Sequence, residues 1–164
     1  GILSMKDRDR TISAEITVSI SPFIPKSHTI FQWETMAPKE ALINKISRLR
    51  RGIKSRKVKL NVHNAEMSLL EAIFSRGDRR LSTLLETAYK KGARFDSWKD
   101  AFRNDIWQEA ISECGTDITA YFEGKNYADP LPWDHISTGI SKDLLVKDSA
   151  LAHEQGAVAC NHSS

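Results

Sequence analysis

A chain of 164 residues has room for one domain with its own core, and 40% hydrophobic with 27% charged residues is the composition of an ordinary globular protein. No apolar run approaches the roughly 18 residues of a membrane span, and the opening Gly1-Ile-Leu-Ser-Met-Lys-Asp-Arg-Asp-Arg is too charged, and too short in its apolar part, for a signal peptide. A cytoplasmic protein without membrane contact is expected.

The first clear element is a strand over Glu15 to Ser21. Side chains alternate along a strand, so Ile16, Val18 and Ile20 point one way and Thr17, Ser19 and Ser21 the other. Pro22 and Pro25 cannot continue a central ladder, so the chain leaves the strand extended and stiff. Substrate and cofactor groups gather at the carboxyl ends of strands in barrel and open-sheet enzymes, which directs attention to residues 21–33. Within that loop Lys26 and His28 can face one side, with Phe31 and Trp33 as flat apolar surfaces beside them. The bland alternative is that the aromatics plug an edge and the charges are solvated.

From Pro38 a helix is predicted, with Leu42, Ile46, Leu49 and Ile53 at helical spacing, a basic opposite face, and Gly52 as the stop. Lys45, Arg48, Arg50, Arg51, Lys54, Arg56, Lys57 and Lys59 fall within fifteen residues that contain no acid. Such a density suits RNA or DNA phosphates, but the run has no aromatic residue for stacking bases, and a solvated helix face is the competing reading. The net charge of +3 decides nothing by itself. A second strand is expected over Lys57 to Val62, followed at its end by His63, a candidate base or substrate-orienting group or else a hydrogen-bonded structural residue. Two short strands alone make a marginal sheet, which points to a domain whose other strands lie elsewhere.

Helices dominate the rest of the chain. Met67, Leu70, Ile73 and Phe74 mark a short apolar helix closing at Gly77. Asp78 can cap the next, whose buried stripe is Leu81, Leu84, Leu85 and Ala88 and whose end is Gly92. Arg76, Arg79 and Arg80 at that hinge can form an anion site or pair with Glu71 and Asp78. Asp96 or Ser97 is placed to start a helix carrying Trp98, Phe102, Ile106, Trp107, Ala110 and Ile111 to Gly115. A short turn of helix is expected within 117–122, a break at Asp129-Pro-Leu-Pro132, and a last helix from a Ser141 cap to about His153, with residues 156–164 disordered.

Catalytic constellations are sparse. Asp134 and His135 are adjacent, but neither they nor His63 accompany a serine or cysteine nucleophile pattern. Cys114 suits a small core position. Cys160 and His162 offer two metal ligands where a structural zinc site needs four, so no metal site is expected.

Four runs bear a family resemblance. The run Val18-Ser-Ile-Ser-Pro-Phe-Ile-Pro-Lys-Ser-His-Thr-Ile-Phe-Gln-Trp33, then Phe74-Ser-Arg-Gly-Asp-Arg-Arg-Leu81, Phe95-Asp-Ser-Trp98 and Leu131-Pro-Trp-Asp-His-Ile136 together resemble the C-terminal portion of radical S-adenosylmethionine proteins that carry an upstream cobalamin-binding-type domain. The resemblance covers residues from about 15 to 145, in order. It departs from the family at Ser27 and Ile30, where proline is common, and lacks the Cys-x-x-x-Cys-x-x-Cys loop that ligates the 4Fe-4S cluster.

What the resemblance implies is an α/β protein, helix-rich in this chain. Residues 1–35 would hold the last strand of a partial (β/α) radical SAM barrel and its exit loop, and residues 36–155 a mainly helical C-terminal region with one short strand near 57–62. The larger enzyme would use S-adenosylmethionine and an iron-sulfur cluster, with cobalamin a further candidate, to begin radical chemistry on an unknown substrate. This chain would bind none of these alone; its partner would be the rest of the barrel and the cobalamin-type domain. Ser19, Ser21 and Phe23 would lie beside S-adenosylmethionine, and Lys26, His28, Trp33 and His63 would face substrate. The catalytic residues stay open. The alternative function is a non-catalytic helical module that binds RNA or a protein through residues 45–59.

Overall fold

The computed structural model of the chain describes residues 14–161, with side chains to 156. Two strands, β1 (Ile16–Ile20) and β2 (Val58–Val62), pair in parallel with Ile16 opposite Val58 and Ile20 opposite Val62. The ladder is extended by Ile16 N–H donating to the Lys57 carbonyl at 2.8 Å and His63 N–H to that of Ile20 at 2.9 Å. Parallel strands need a long crossover; here it is the 21–38 loop followed by helix α1 (Lys39–Gly52). Both carboxyl ends therefore lie at the same end of the sheet, and among the described residues both outer edges are unpaired.

Helix α2 (Ala65–Arg76) follows β2 directly, and the Asn64 side chain caps it by accepting from the N–H groups of Glu66 and Met67. Then come α3 (Leu81–Lys90), α4 (Asn104–Cys114), a single 3-10 turn at Thr119–Tyr121 and α5 (Lys142–Asn161). No helix among the described residues is long and apolar enough to cross a membrane. The largest apolar cluster joins Ile73 of α2, Leu81, Leu84 and Ala88 of α3, and Ile106, Trp107 and Ala110 of α4. A second gathers Trp33, Leu131, Trp133 and Leu145; a third, under α1, gathers Met36, Leu42 and Ala72.

Several expectations need correction. Leu49 and Leu85 fall on their helices' outer sides and are exposed, so the apolar stripes of α1 and α3 are narrower than their spacing suggested. The helix predicted from Asp96 or Ser97 begins only at Asn104. Residues 95–102 instead make successive turns, Asp96 accepts the Trp107 indole N–H at 3.0 Å rather than capping a helix, and Trp98 is left 71% exposed. Asp78 accepts from Arg80 N–H and pairs with the Arg80 guanidinium, while Arg80 itself occupies the cap position of α3. Helix α5 runs on past His153 to Asn161, because no proline interrupts it, through part of the stretch expected to be disordered. Residues 162–164 lie outside the described residues, as do the expected readings of residues 1–13, of His162 and of the Cys160 side chain.

Other expectations hold. Gly115 closes α4 at φ 59°, a left-handed conformation that favours glycine. The Ser141 hydroxyl accepts the Leu144 N–H, as a cap should, and Cys114 sits half-buried beside the main cluster, its thiol against the Thr87 hydroxyl.

Candidate functional site

Three cavities open at the carboxyl ends of β1 and β2, and His63 lines all of them. One of about 200 Å³ is bordered by Ser19, Ser21, Asn61, Asn64, Ser97 and Lys99. Its neighbour, about 320 Å³, lies against Ser21, Phe23, Lys26, Ser68 and Glu71. The third, about 350 Å³, is lined by Met67, Leu70, Phe74, Asp96 and Ser97. The parallel pairing accounts for this gathering: each strand ends at the same edge, so residues 19–21 and 61–64 meet although forty residues of chain separate them.

The hydroxyl face read from the sequence is thus accessible at this edge, with Ser19 and Ser21 both exposed. Phe23 is half-exposed and packs edge-on against Phe31, ring centres 5.8 Å apart. Lys26 pairs with Glu71 and donates to the Ser75 hydroxyl at 3.2 Å, which fixes it over α2. Asn64 follows His63 at the strand end, whereas Asn61, Ser97 and Lys99 carry no sequence pattern that marks them as site residues. Their signal was only positional: two flank the His63 strand end and two fall within or beside the Phe95-Asp-Ser-Trp98 run.

His28 and Trp33 take other roles. Trp33 is a core residue, 3% exposed, packed edge-on against Tyr127 with ring centres 4.9 Å apart, and is not a platform at a mouth. His28 holds a left-handed backbone at φ 55°, where its N–H donates to the Gln32 side-chain oxygen at 3.1 Å; its Nε2 is buried without a partner among the described residues. His28 therefore does not share the strand-end cavities with Lys26.

A larger cleft of about 890 Å³ lies beyond, between the hinge of α2 and α3 and the 132–136 turn. Ser27, Ser75, Gly77, Asp78, Arg79, Arg80, Pro132, Trp133, His135 and Ile136 line it. Two buried polar side chains hold its walls. Arg76, expected to join an anion site or to pair with Glu71 or Asp78, is instead 3% exposed and donates to the carbonyls of Gln32 at 3.2 Å, Tyr121 at 2.6 Å and Glu123 at 2.7 Å. It falls four residues after Ala72 and three after Ile73, on the buried side of α2, which is the signal that places it inside. Burial lowers its guanidinium pKa and the nearby Glu34 charge opposes that fall. Gln32 is the second pin: its oxygen accepts the Trp133 indole N–H at 2.6 Å together with the His28 N–H.

Asp134 and His135 form no dyad. The Asp134 carboxylate accepts from the Leu131 N–H and from Lys142, each at 2.9 Å, while His135 faces the cleft. Burial pushes the Asp134 carboxyl up, but these bonds and the Lys142 and His28 charges outweigh it, leaving the carboxyl below its usual range. Asp78 is likewise held low, chiefly by the Arg80 guanidinium bonded to it. Among the described residues no cluster of three or more His, Cys, Asp or Glu side chains could hold a metal ion.

The four runs that carry the family resemblance line two sets of openings: the first, second (through Phe74) and third border the strand-end cavities, and the second and fourth border the cleft, with Ser27 of the first reaching it. Neither a family profile, nor a curated protein, nor a solved structure matches this chain.

Proposed function

We propose that this chain is the C-terminal part of a radical S-adenosylmethionine enzyme, in which it supplies wall and cover for a barrel site but not the cluster. One observation carries the reading. Of four runs resembling that family, scattered over some 120 residues of sequence, three border cavities at the carboxyl ends of a parallel β-loop-α-β-α unit whose strands lack outer neighbours among the described residues, and the fourth meets the first and second at a separate cleft. A half-exposed two-stranded parallel sheet is marginal alone, and further barrel strands on its edges would complete it.

The residues at the strand ends suit a polar cofactor or substrate. Ser19, Ser21, Asn61 and Asn64 offer hydroxyl and amide groups, and Lys99 and Lys26 offer positive charge, the latter neutralised by Glu71. In this reading Ser19, Ser21 and the backbone near Phe23 lie beside S-adenosylmethionine, and Lys26 and His63 lie toward substrate. S-adenosylmethionine supplies the radical that starts the reaction. The chain's own share is to position groups and exclude water from the strand ends. The cluster does not fit here: Cys114 is engaged with Thr87, and three clustered cysteines are absent from the sequence. Its ligands would lie in another segment, as would any cobalamin site.

The test is a longer protein from the same gene, purified without oxygen and reconstituted with iron and sulfide. About four irons per chain and reductant-dependent release of 5′-deoxyadenosine from S-adenosylmethionine are expected. A complete gene product with no Cys-x-x-x-Cys-x-x-Cys segment, or a reconstituted protein that leaves S-adenosylmethionine intact, would overturn the proposal.

A further inference from the structure

A different surface, with no part in the radical reading, carries its own charge logic. Lys45, Arg48, Arg50 and Arg51 on α1, and Lys54, Arg56, Lys57 and Lys59 through the turn into β2, form one run of cations, all of them exposed. Lys59 pairs with Glu15 at 2.6 Å; the other seven enter no ion pair among the described residues. Six residues of helix rise only about 9 Å, close to the roughly 10 Å screening length at 0.1 M salt, so these like charges repel one another in the free protein. Nothing in the packing of α1 calls for them: its buried side is Leu42, with Ile46 half-buried.

We propose that this surface binds the sugar-phosphate backbone of a nucleic-acid duplex. Lys45 and Arg48 line, together with Leu49, Gly52 and Ile53, a shallow open depression of about 520 Å³. Lys45, Arg48 and Arg51 recur every third residue and share one side of α1. Residues 54–59 continue the positive strip off the helix. A single strand would need stacking surfaces, and residues 39–62 contain no aromatic side chain. A lipid surface would need a continuous apolar face to insert, whereas here only Ile43 and Leu49 are exposed along α1. What is left is a run of cations, seven of them without an ion pair among the described residues, on a helix and turn, the chemistry of backbone contact without base reading. The inference does not rest on the radical reading and can stand or fall separately.

The experiment is fluorescence anisotropy of the full chain with a labelled RNA duplex of about 20 base pairs, one turn or more beyond what the surface covers, and with the matching DNA duplex, across about 50 to 200 mM salt. Saturable binding is expected, with log affinity falling linearly against log salt. Arg48→Ala, Arg51→Ala and Arg56→Ala combined should weaken binding at least tenfold and reduce the salt slope by about two to three. The three corresponding lysine substitutions should restore most of it, because backbone contact needs charge rather than a bidentate fork. None of the three side chains is buried, so the melting temperature of the alanine variant is expected to hold. No saturable binding at about 50 mM salt, or an alanine variant that binds like the parent, overturns the proposal. So does tighter binding to phosphatidylserine vesicles than to either duplex, lost in the same variant, which would assign the face to lipid.

Discussion

The two halves of the molecule are held in different ways. The helices and the loops that join them close three apolar clusters, to which Trp33, Met36 and Leu42 contribute from ahead of α2, and pin those loops with buried polar side chains, Arg76 on three carbonyls and Gln32 on two N–H groups. The sheet has nothing comparable: Val18, at the middle of β1 on its apolar face, is 37% exposed, and both edges of the ladder are open among the described residues. The helical part thus carries its own stability, whereas no residue of either strand joins one of these apolar clusters.

The contrast can be tested from its strongest side downward. Arg76→Met should cost the most, roughly 3 kcal/mol or more, because it leaves three interior carbonyls without a donor; urea unfolding followed by tryptophan fluorescence measures it. A loss under about 1 kcal/mol would mean that water replaces the guanidinium and that the pin is not structural. Gly77→Ala comes next, at about 1–3 kcal/mol, since a Cβ there would meet Leu81 Cδ1 at 2.0 Å and the Ile73 carbonyl at 2.7 Å, and the backbone oxygen cannot swing away.

Acid should act more locally. The Asp134 carboxyl lies below its ordinary range in the folded chain, so its contribution is present above the ordinary aspartate value near ~3.9 and is lost as pH falls through the lower folded value. The Trp133 indole N–H resonance should therefore stay fixed from neutral pH to about 4 and move only below it, ahead of global unfolding. A shift that is already complete well above that range would show that Asp134 does not govern the indole's surroundings. Smallest of all, Val18→Thr should change stability by less than about 0.5 kcal/mol in this chain. A cost as large as that of Gly77→Ala would erase the distinction between the halves; a cost that emerges only in a longer protein would sharpen it.

Much of this was legible from residue order. Both strands, the crossover helix, the αα hinge at Gly77 and the Ser141 cap follow from period, proline and glycine, and the strand-end location of Ser19, Ser21 and His63 follows from the parallel pairing that a β-α-β order implies. What was not legible depended on tertiary choices. Trp33 and Phe31 are both aromatic in one loop, yet one is buried and the other exposed, because Trp133 and Leu131 arrive from a hundred residues away to cover only the first. Arg76 reads as part of an anion site or an ion pair because three arginines surround Gly77 and Asp78; its carbonyl partners at Gln32, Tyr121 and Glu123 come from 44 residues back and 45 and 47 forward, which no local pattern reveals. The 95–103 turn hid its start because Asp96 is needed by Trp107, a demand visible only once α4 packs on α2.

The Arg76 clasp has a consequence for the order in which the chain assembles. Its three bonds reach 44 residues back and 45 and 47 residues forward, so each closes a long loop. Contacts of that span pay their closure entropy before they return anything, while α3 and α4 meet across the much shorter connection of residues 91–103. The helical hairpin should therefore form early and the clasp late, with Arg76 contributing little to the folding transition state and much to the barrier against unfolding. The cleft between residues 75–80 and 132–136, whose wall the clasp holds, is then the last part of the molecule to come into being and the first to be lost when the chain lets go.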